Sequence, residues 1–101
     1  MSLVKVRPVG EVPPGKFTEV GVGDAQYVVC NVGGDLYCVT GTCPHAGGPL
    51  AQGDFNGCLL VCPWHGWEFD CRTGLNDADD CMRLETYPVK IEDGQILIDV
   101  P

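Results

Sequence analysis

The chain has 101 residues, of which 45% are hydrophobic and 20% charged, and its formal net charge is −8 at pH 7. This length allows one core but not two, so we expect a single domain over residues 1–101. The acidic balance argues against nucleic acid as a partner, because phosphates require a basic footprint. No apolar run approaches the roughly 20 residues of a membrane helix, and the start lacks the features of a secretory signal. We therefore expect a cytoplasmic protein with no membrane partner.

Short runs rich in Val, Ile, Tyr and Phe alternate with turn residues, which is typical of an all-β protein built from antiparallel sheets. The predicted strands are, in chain order, 5–9, 16–20, 26–32, 36–40, 58–62, 68–71, 87–92 and 95–100. Gly33-Gly34, Asn56-Gly57 and Asp93-Gly94 predict tight hairpins, because primed turns need residues that accept positive φ. No segment has a sustained helical period, so any helix should be a single turn.

Both histidines of the chain stand close to a cysteine, in the motifs Cys43-Pro-His45 and Cys62-Pro-Trp-His65. Thiolate and imidazole donors indicate a transition metal rather than calcium or magnesium. A Cys2His2 zinc site usually takes its cysteines from one segment and its histidines from another. Here each segment supplies one of each. This alternation suits a binuclear iron–sulfur centre, with Cys43 and Cys62 on one iron and His45 and His65 on the other.

The segments CPHAGGPL (43–50) and CPWHGWEFD (62–70) resemble the two ligand motifs of the Rieske [2Fe-2S] family. The resemblance extends over nearly the whole chain. It implies an antiparallel β sandwich of small sheets, with a cluster-binding subdomain of about residues 41–84 inserted at its tip. It also implies one [2Fe-2S] cluster, with Cys43, His45, Cys62 and His65 as its ligands.

Five further residues are predicted to support the cluster. Gly47, Gly48 and Gly66 lack a β-carbon, so their backbone N–H groups can approach cluster and cysteine sulfur closely. Trp67 is expected to pack over the cluster and exclude water. For Trp64, packing and a role in docking a redox partner remain equally open.

The resemblance also sets an expectation for the reduction potential. Rieske proteins of respiratory complexes have a disulfide between the two loops, whereas the corresponding positions here are Gly48 and Trp64. The same proteins place hydroxyl donors where this chain has Trp67 and Phe69. Fewer donors stabilise the reduced cluster less well. We therefore predict a midpoint near about −150 mV rather than about +300 mV.

The remaining cysteines are expected to be reduced thiols, mostly in the core; they are Cys30, Cys38, Cys58, Cys71 and Cys81. Cys30 and Cys38 flank the Gly33-Gly34 turn; they would face each other if the loop has three residues, whereas a two-residue loop would place them on opposite faces of the hairpin. No disulfide is predicted between them.

The resemblance implies a soluble one-electron carrier, expected to be a monomer, between a flavin-dependent reductase and a terminal aromatic-ring oxygenase. The sequence shows no activated nucleophile or phosphate-binding loop, so the chain itself is not expected to be an enzyme. One alternative is the small subunit of an assimilatory nitrite reductase, and another is a zinc-binding structural or interaction module. The acidic cluster Asp77, Asp79 and Asp80 is interpreted either as a docking site or as a solvated turn.

Overall fold

The computed structural model describes residues 2–43, 47–64, 66–76 and 83–101. Within these ranges the strands are β1 (Ser2–Pro8), β2 (Phe17–Val22), β3 (Ala25–Val32), β4 (Asp35–Thr40), β5 (Asp54–Asn56), β6 (Leu59–Val61), β7 (Glu68–Asp70), β8 (Thr86–Tyr87), β9 (Val89–Glu92) and β10 (Gln95–Val100). Two single-turn 3-10 helices, Val9–Glu11 and Leu50–Gln52, accompany them. The all-β prediction is confirmed. In the same ranges, no helix has the length and apolar character needed to cross a membrane.

The strands form three antiparallel sheets, with the orders β1-β10-β9, β2-β3-β4-β8 and β5-β6-β7. The third sheet lies in sequence between β4 and β8, which are neighbours in the second sheet. It is therefore an insertion into a framework made by the other two sheets, as the resemblance implied. The segment that links β7 to β8 includes Asp77, Asp79 and Asp80, which lie outside the described residues.

Strand β3 is buried on both faces, which explains its unbroken apolar run. Because side chains alternate along a strand, Tyr27 and Val29 enter one core while Val28 and Cys30 enter another. The first core also contains Ile96, Ile98 and Val100 of β10. The second also contains Leu50, Leu60 and Phe69 of the inserted part, together with Cys43 and Cys62. One face of the four-stranded sheet thus packs against the inserted part and against both cysteines of the predicted metal site.

The Gly33-Gly34 turn is a two-residue loop, one of the two lengths that the sequence left open. Both glycines have positive φ, 61° and 106°, and Val32 pairs with Asp35 across a two-residue loop. Cys30 therefore lies opposite Tyr37, while Cys38 lies opposite Val29. Cys30 and Cys38 consequently belong to different cores. Cys30, Cys38, Cys58, Cys62 and Cys71 are free thiols.

Three details of the strand prediction are wrong. β5 was not predicted, and its pairing of Asn56 with Leu59 moves the hairpin turn one residue along, to Gly57-Cys58. The predicted strand over 87–92 is two strands, because β8 pairs with β4 whereas β9 pairs with β10. Pro88 separates them, since it has no N–H for a sheet ladder. The Gly23-Asp24 turn between β2 and β3 was also missed.

Candidate metal centre

The first predicted ligand loop is a closed backbone loop that begins at Cys43. An isolated bridge between Thr42 and Pro49 closes its base. The Cys43 N–H donates to the Gly48 carbonyl at 2.9 Å, and the Gly47 N–H donates to the Cys43 carbonyl at 2.8 Å. The backbone on both sides of the cysteine is therefore fixed by hydrogen bonds.

The second loop, which begins at Cys62, repeats this pattern. Val61 and Glu68 close its base as a pair in the β6–β7 ladder. The Cys62 N–H donates to the Trp67 carbonyl at 2.8 Å, and the Gly66 N–H donates to the Cys62 carbonyl at 3.0 Å. Each bond joins residues with the same separation as in the first loop. The two loops are thus equivalent in their backbone hydrogen bonds, although their sequences differ.

Glycine is required at the fifth position of both loops. Gly47 has φ 74° and Gly66 has φ 71°, in the left-handed region that side chains with a β-carbon rarely adopt. Their N–H groups donate to cysteine carbonyls. The structure therefore explains these two glycines by their left-handed conformation, whereas the sequence predicted N–H groups that approach sulfur.

Gly48 brings the two loops into contact. A β-carbon placed on Gly48 would lie 2.9 Å from Cys62 Sγ and 3.2 Å from Cδ2 of the Trp64 indole. Real β-carbons essentially never come within 3.0 Å of another heavy atom. The absence of a side chain at Gly48 therefore allows the first loop to pack directly on the cysteine of the second.

Both cysteines of the loops are buried in one core. Cys43 and Cys62 are each 1% exposed and share this core with Leu50, Leu60 and Phe69. Two cysteine side chains that are held by equivalent backbone hydrogen bonds and closed off from water by apolar side chains suit thiolate ligation of a soft or borderline metal ion. The donor set that the structure describes therefore fits the sulfur side of the predicted centre.

The two predicted imidazole ligands, His45 and His65, lie outside the described residues. Among the residues that are described, no group of three or more His, Cys, Asp and Glu side chains could hold a metal ion. Ligation by histidine stays a prediction.

The two tryptophans of the second loop have different environments. Trp64 is 57% exposed, and its ring lies against Gly48 of the first loop. Trp67 is half-buried and packs against the core that contains both cysteines. Trp64 thus presents an aromatic surface to solvent beside the loops, while Trp67 contributes to their apolar support.

Gly53 is a supporting residue that the sequence reasoning missed. A β-carbon on Gly53 would collide with the Val61 carbonyl oxygen, and it would lie 3.2 Å from Cδ of Pro63. Gly53 therefore allows the start of β5 to pack against the chain on both sides of Cys62. Gly53 lies outside the two ligand motifs, so the sequence pattern gave no indication of this contact.

Comparison with known proteins places the chain among iron–sulfur proteins. A family model for the Rieske [2Fe-2S] domain matches residues 2–88. The ferredoxin component of biphenyl 2,3-dioxygenase from Rhodococcus jostii (strain RHA1) is 34% identical over 101 residues, covering 99% of this chain and 94% of the relative. Membership of this family supports an iron–sulfur cluster.

Solved structures agree with this placement. The ferredoxin of Sphingomonas yanoikuyae B1 superposes with a TM-score of 0.89 and 33% identity, covering 99% of this chain and 100% of the other. A chain in the oxygenase–ferredoxin complex of carbazole 1,9a-dioxygenase has a TM-score of 0.86 and 30% identity, covering 95% and 91% respectively. A putative NADPH nitrite reductase small subunit, at 19% identity and a TM-score of 0.80, shares the fold alone.

Proposed function

Because the chain belongs to the Rieske [2Fe-2S] domain family, we propose that it carries single electrons from a flavin-dependent reductase to a terminal aromatic-ring oxygenase. Relatives of 33–34% identity over nearly their whole length are ferredoxin components of dioxygenases. They are electron-transfer components rather than the catalytic subunits, and we assign this chain the same role.

The observation that carries this proposal is the pair of equivalent loops holding two buried cysteines in one core. We propose that Cys43 and Cys62 ligate one iron of a [2Fe-2S] cluster and that His45 and His65 ligate the other. When bound, such a cluster accepts and releases one electron. The protein's own contribution is to fix both thiolates through the loop hydrogen bonds and to keep water away with Leu50, Leu60 and Phe69.

The exposed face of Trp64 is the proposed contact for redox partners. A half-exposed indole beside the cluster loops offers apolar area for brief docking without a large stable interface. The net charge of −8 favours partners with a basic docking surface, and it makes their association rate sensitive to salt.

The two alternative functions, a nitrite reductase small subunit and a zinc-binding module, have less support than the electron carrier. Likeness to the putative nitrite reductase small subunit is a likeness of fold only, at 19% identity. The match to the Rieske domain model favours an iron–sulfur cluster over a zinc module. The proposal includes a monomeric carrier in the cytoplasm, where reducing conditions fit the free thiols of Cys30, Cys38 and Cys71.

Metal content tests the proposal. The purified protein is expected to absorb visible light and to contain two irons and two acid-labile sulfides per chain. Cys43→Ser should lose the cluster, whereas Cys38→Ala should keep it, because the equally buried Cys38 belongs to the other core. A colourless protein with one zinc per chain would contradict the proposal.

Electron delivery tests the proposed role as a carrier. Mixed with a flavoprotein reductase and a terminal aromatic-ring oxygenase, the protein should be reduced by the first and reoxidised by the second within the turnover time. Cluster-loaded protein that neither partner reduces or reoxidises would show that the cluster is present but the assigned role is wrong.

A further inference from the structure

Two thiols outside the proposed cluster site face each other in the core. Cys30 lies on β3 and is fully buried, and Cys71 directly follows β7 with 1% exposure. They pack in the same core, and their side chains lie within hydrogen-bonding reach of each other. They connect the four-stranded sheet of the framework to the inserted three-stranded sheet, and the proposed electron-carrier role does not involve them.

The backbone holds both thiols in place. Cys30 sits in the middle of a sheet, paired with Phe17 on one side and Tyr37 on the other. The Cys71 N–H donates to the Cys58 carbonyl at 2.8 Å. Cys71 also lies in a tight turn closed by the Gly74 N–H, which donates to the Asp70 carbonyl at 2.6 Å. Two thiols on anchored segments stay within reach of each other without a conformational change.

A cleft beside this pair offers a small molecule a route inward. It has a volume of about 440 Å³ and is lined by two cysteines, Cys71 and Cys38, together with Tyr37, Arg72 and Tyr87. A cleft of this size admits several water-sized molecules. Cys71, which lines it, is therefore the member of the pair that a solute reaches first.

The two thiols differ in acidity. The hydrogen bond with Cys71 and burial raise the pKa of Cys30 well above its ordinary value. The hydrogen bond from Cys30, aided by the charge of Arg72, lowers the pKa of Cys71 despite its burial. Because the thiolate is the reactive form, Cys71 is the nucleophile and Cys30 the resolving thiol.

We propose that Cys30 and Cys71 form a disulfide when the protein meets hydrogen peroxide. The Cys71 thiolate attacks one peroxide oxygen, the O–O bond breaks, and the hydroxide that leaves takes up a proton to become water. The Cys30 sulfur then attacks the sulfenic sulfur, its proton is lost, and a second water departs. Overall, two thiols give up two electrons and two protons while one peroxide becomes two waters. The bond links β3 to the turn after β7.

Peptide mapping tests this directly in the cluster-loaded protein. After treatment with hydrogen peroxide, free thiols are alkylated in acidic denaturant and the chain is cut before aspartate without reduction. This cleavage puts Cys30 alone in peptide 24–34 and Cys71 alone in peptide 70–76. The expected product is these two peptides joined, at two hydrogens less than their summed mass and separated again by dithiothreitol. Full alkylation of both cysteines, or cross-linking of Cys71 to a different peptide, would overturn the proposal.

Variants separate the two steps. In Cys30→Ala, Cys71 should stop at the sulfenic acid and be captured by dimedone, whereas the wild type should give little adduct. Cys38→Ala is the matched control, because Cys38 lines the same cleft and is equally buried but packs in the other core. It should still form the 24–34 to 70–76 link. Loss of that link in Cys38→Ala would contradict the assignment, and if Cys30→Ala does not fold, the wild-type peptide map decides alone.

Discussion

Gly48 and Trp64 occupy the two positions at which Rieske proteins of respiratory complexes have a disulfide between the loops. The structure places these two residues in contact. The Trp64 ring lies 3.2 Å from the site of a β-carbon on Gly48. The Trp64 indole therefore packs on the backbone of Gly48, and this contact joins the two loops in place of a disulfide. The same contact leaves more than half of the Trp64 side chain exposed to solvent.

Gly48→Ala should weaken the joint between the loops. The new methyl group would lie 2.9 Å from Cys62 Sγ, so either the loop or the cysteine must move. We expect the free energy of unfolding to fall by about 1–3 kcal/mol, as for other overpacked sites, and the iron content to fall with it. Gly10→Ala is the control, because no atom lies within 4 Å of its β-carbon site. Equal iron content and stability in the two variants would contradict the packing argument.

Trp64→Ala should slow electron transfer to a partner while leaving most of the cluster in place. An exposed aromatic side chain contributes mainly to docking, so we expect the second-order rate to fall about tenfold, equivalent to about 1.4 kcal/mol. Stopped-flow mixing with an oxygenase measures this rate. Leu3→Ala, which removes a side chain 50% exposed on β1, should leave the rate unchanged. Wholesale cluster loss in Trp64→Ala would assign the ring a structural role instead.

Sequence patterns identified the cysteines because Cys43 and Cys62 are soft donors. They also singled out Gly47 and Gly66, but for close approach of their N–H groups to sulfur, whereas the structure shows positive φ and N–H groups that donate to cysteine carbonyls. Gly53 was missed because its role depends on a contact with Val61, eight residues away, which only the sheet creates. The imidazole half of the ligand set lies outside the described residues and stays a prediction.

The turn after β7 is held by one aspartate. Asp70 Oδ1 accepts from the Arg72 N–H at 2.9 Å and from Arg72 Nε at 3.1 Å, and Oδ2 accepts from Nη2 at 2.9 Å. The hydrogen bonds and charge of Arg72 keep the pKa of Asp70 below its ordinary value of 3.8. This turn positions Cys71, so the charge pair orders the segment that carries the proposed redox thiol.

Arg72→Ala should reduce stability in a way that depends on pH. Since the folded pKa of Asp70 is lowered, its stabilising contribution is complete above the unfolded value near 3.8 and is lost as pH falls through the folded value. Urea unfolding should therefore separate wild type from variant at pH 7, and the gap should close toward pH 3. Lys90→Ala breaks an exposed pair with Glu92 and should have little effect at either pH. A gap that is constant with pH would show that Asp70 does not depend on Arg72.

Strand prediction succeeded where local chemistry decides the structure and failed where pairing decides it. Gly33-Gly34 forms the predicted two-residue turn because both residues accept positive φ. β5, with the sequence Asp54-Phe55-Asn56, is rich in residues that disfavour strands and becomes one only by pairing with β6. β8 and β9 read as one run, yet they join different sheets on either side of Pro88.

The whole chain is organised around β3, whose two faces belong to the two cores. Val28 enters the core beneath the cysteine loops, and its neighbour Val29 enters the core shared with β10. Displacement of β3 would therefore disrupt both cores at once. This shared strand supports the expectation of a single domain over residues 1–101.

Unfolding should accordingly be one cooperative transition. Both tryptophans, Trp64 and Trp67, lie in the second ligand loop, so fluorescence reports the inserted part. The edge-to-face pair of Tyr27 and Tyr87, with ring centroids 5.1 Å apart, reports the other core through near-ultraviolet circular dichroism. The two signals should have coincident urea midpoints. Separated midpoints would show that the inserted part unfolds as a unit of its own.

The midpoint potential and its pH dependence test the proposed electron carrier most directly. With two histidine and two cysteine ligands, and with Trp67 and Phe69 supplying no hydroxyl donor, a redox titration should give a one-electron midpoint near about −150 mV. The midpoint should fall with pH only in the alkaline range, where the imidazoles of His45 and His65 lose their outer protons. A clearly positive midpoint would contradict the effect assigned to the missing donors. A midpoint near about −400 mV with no pH dependence would indicate an all-cysteine cluster and contradict the ligand set itself.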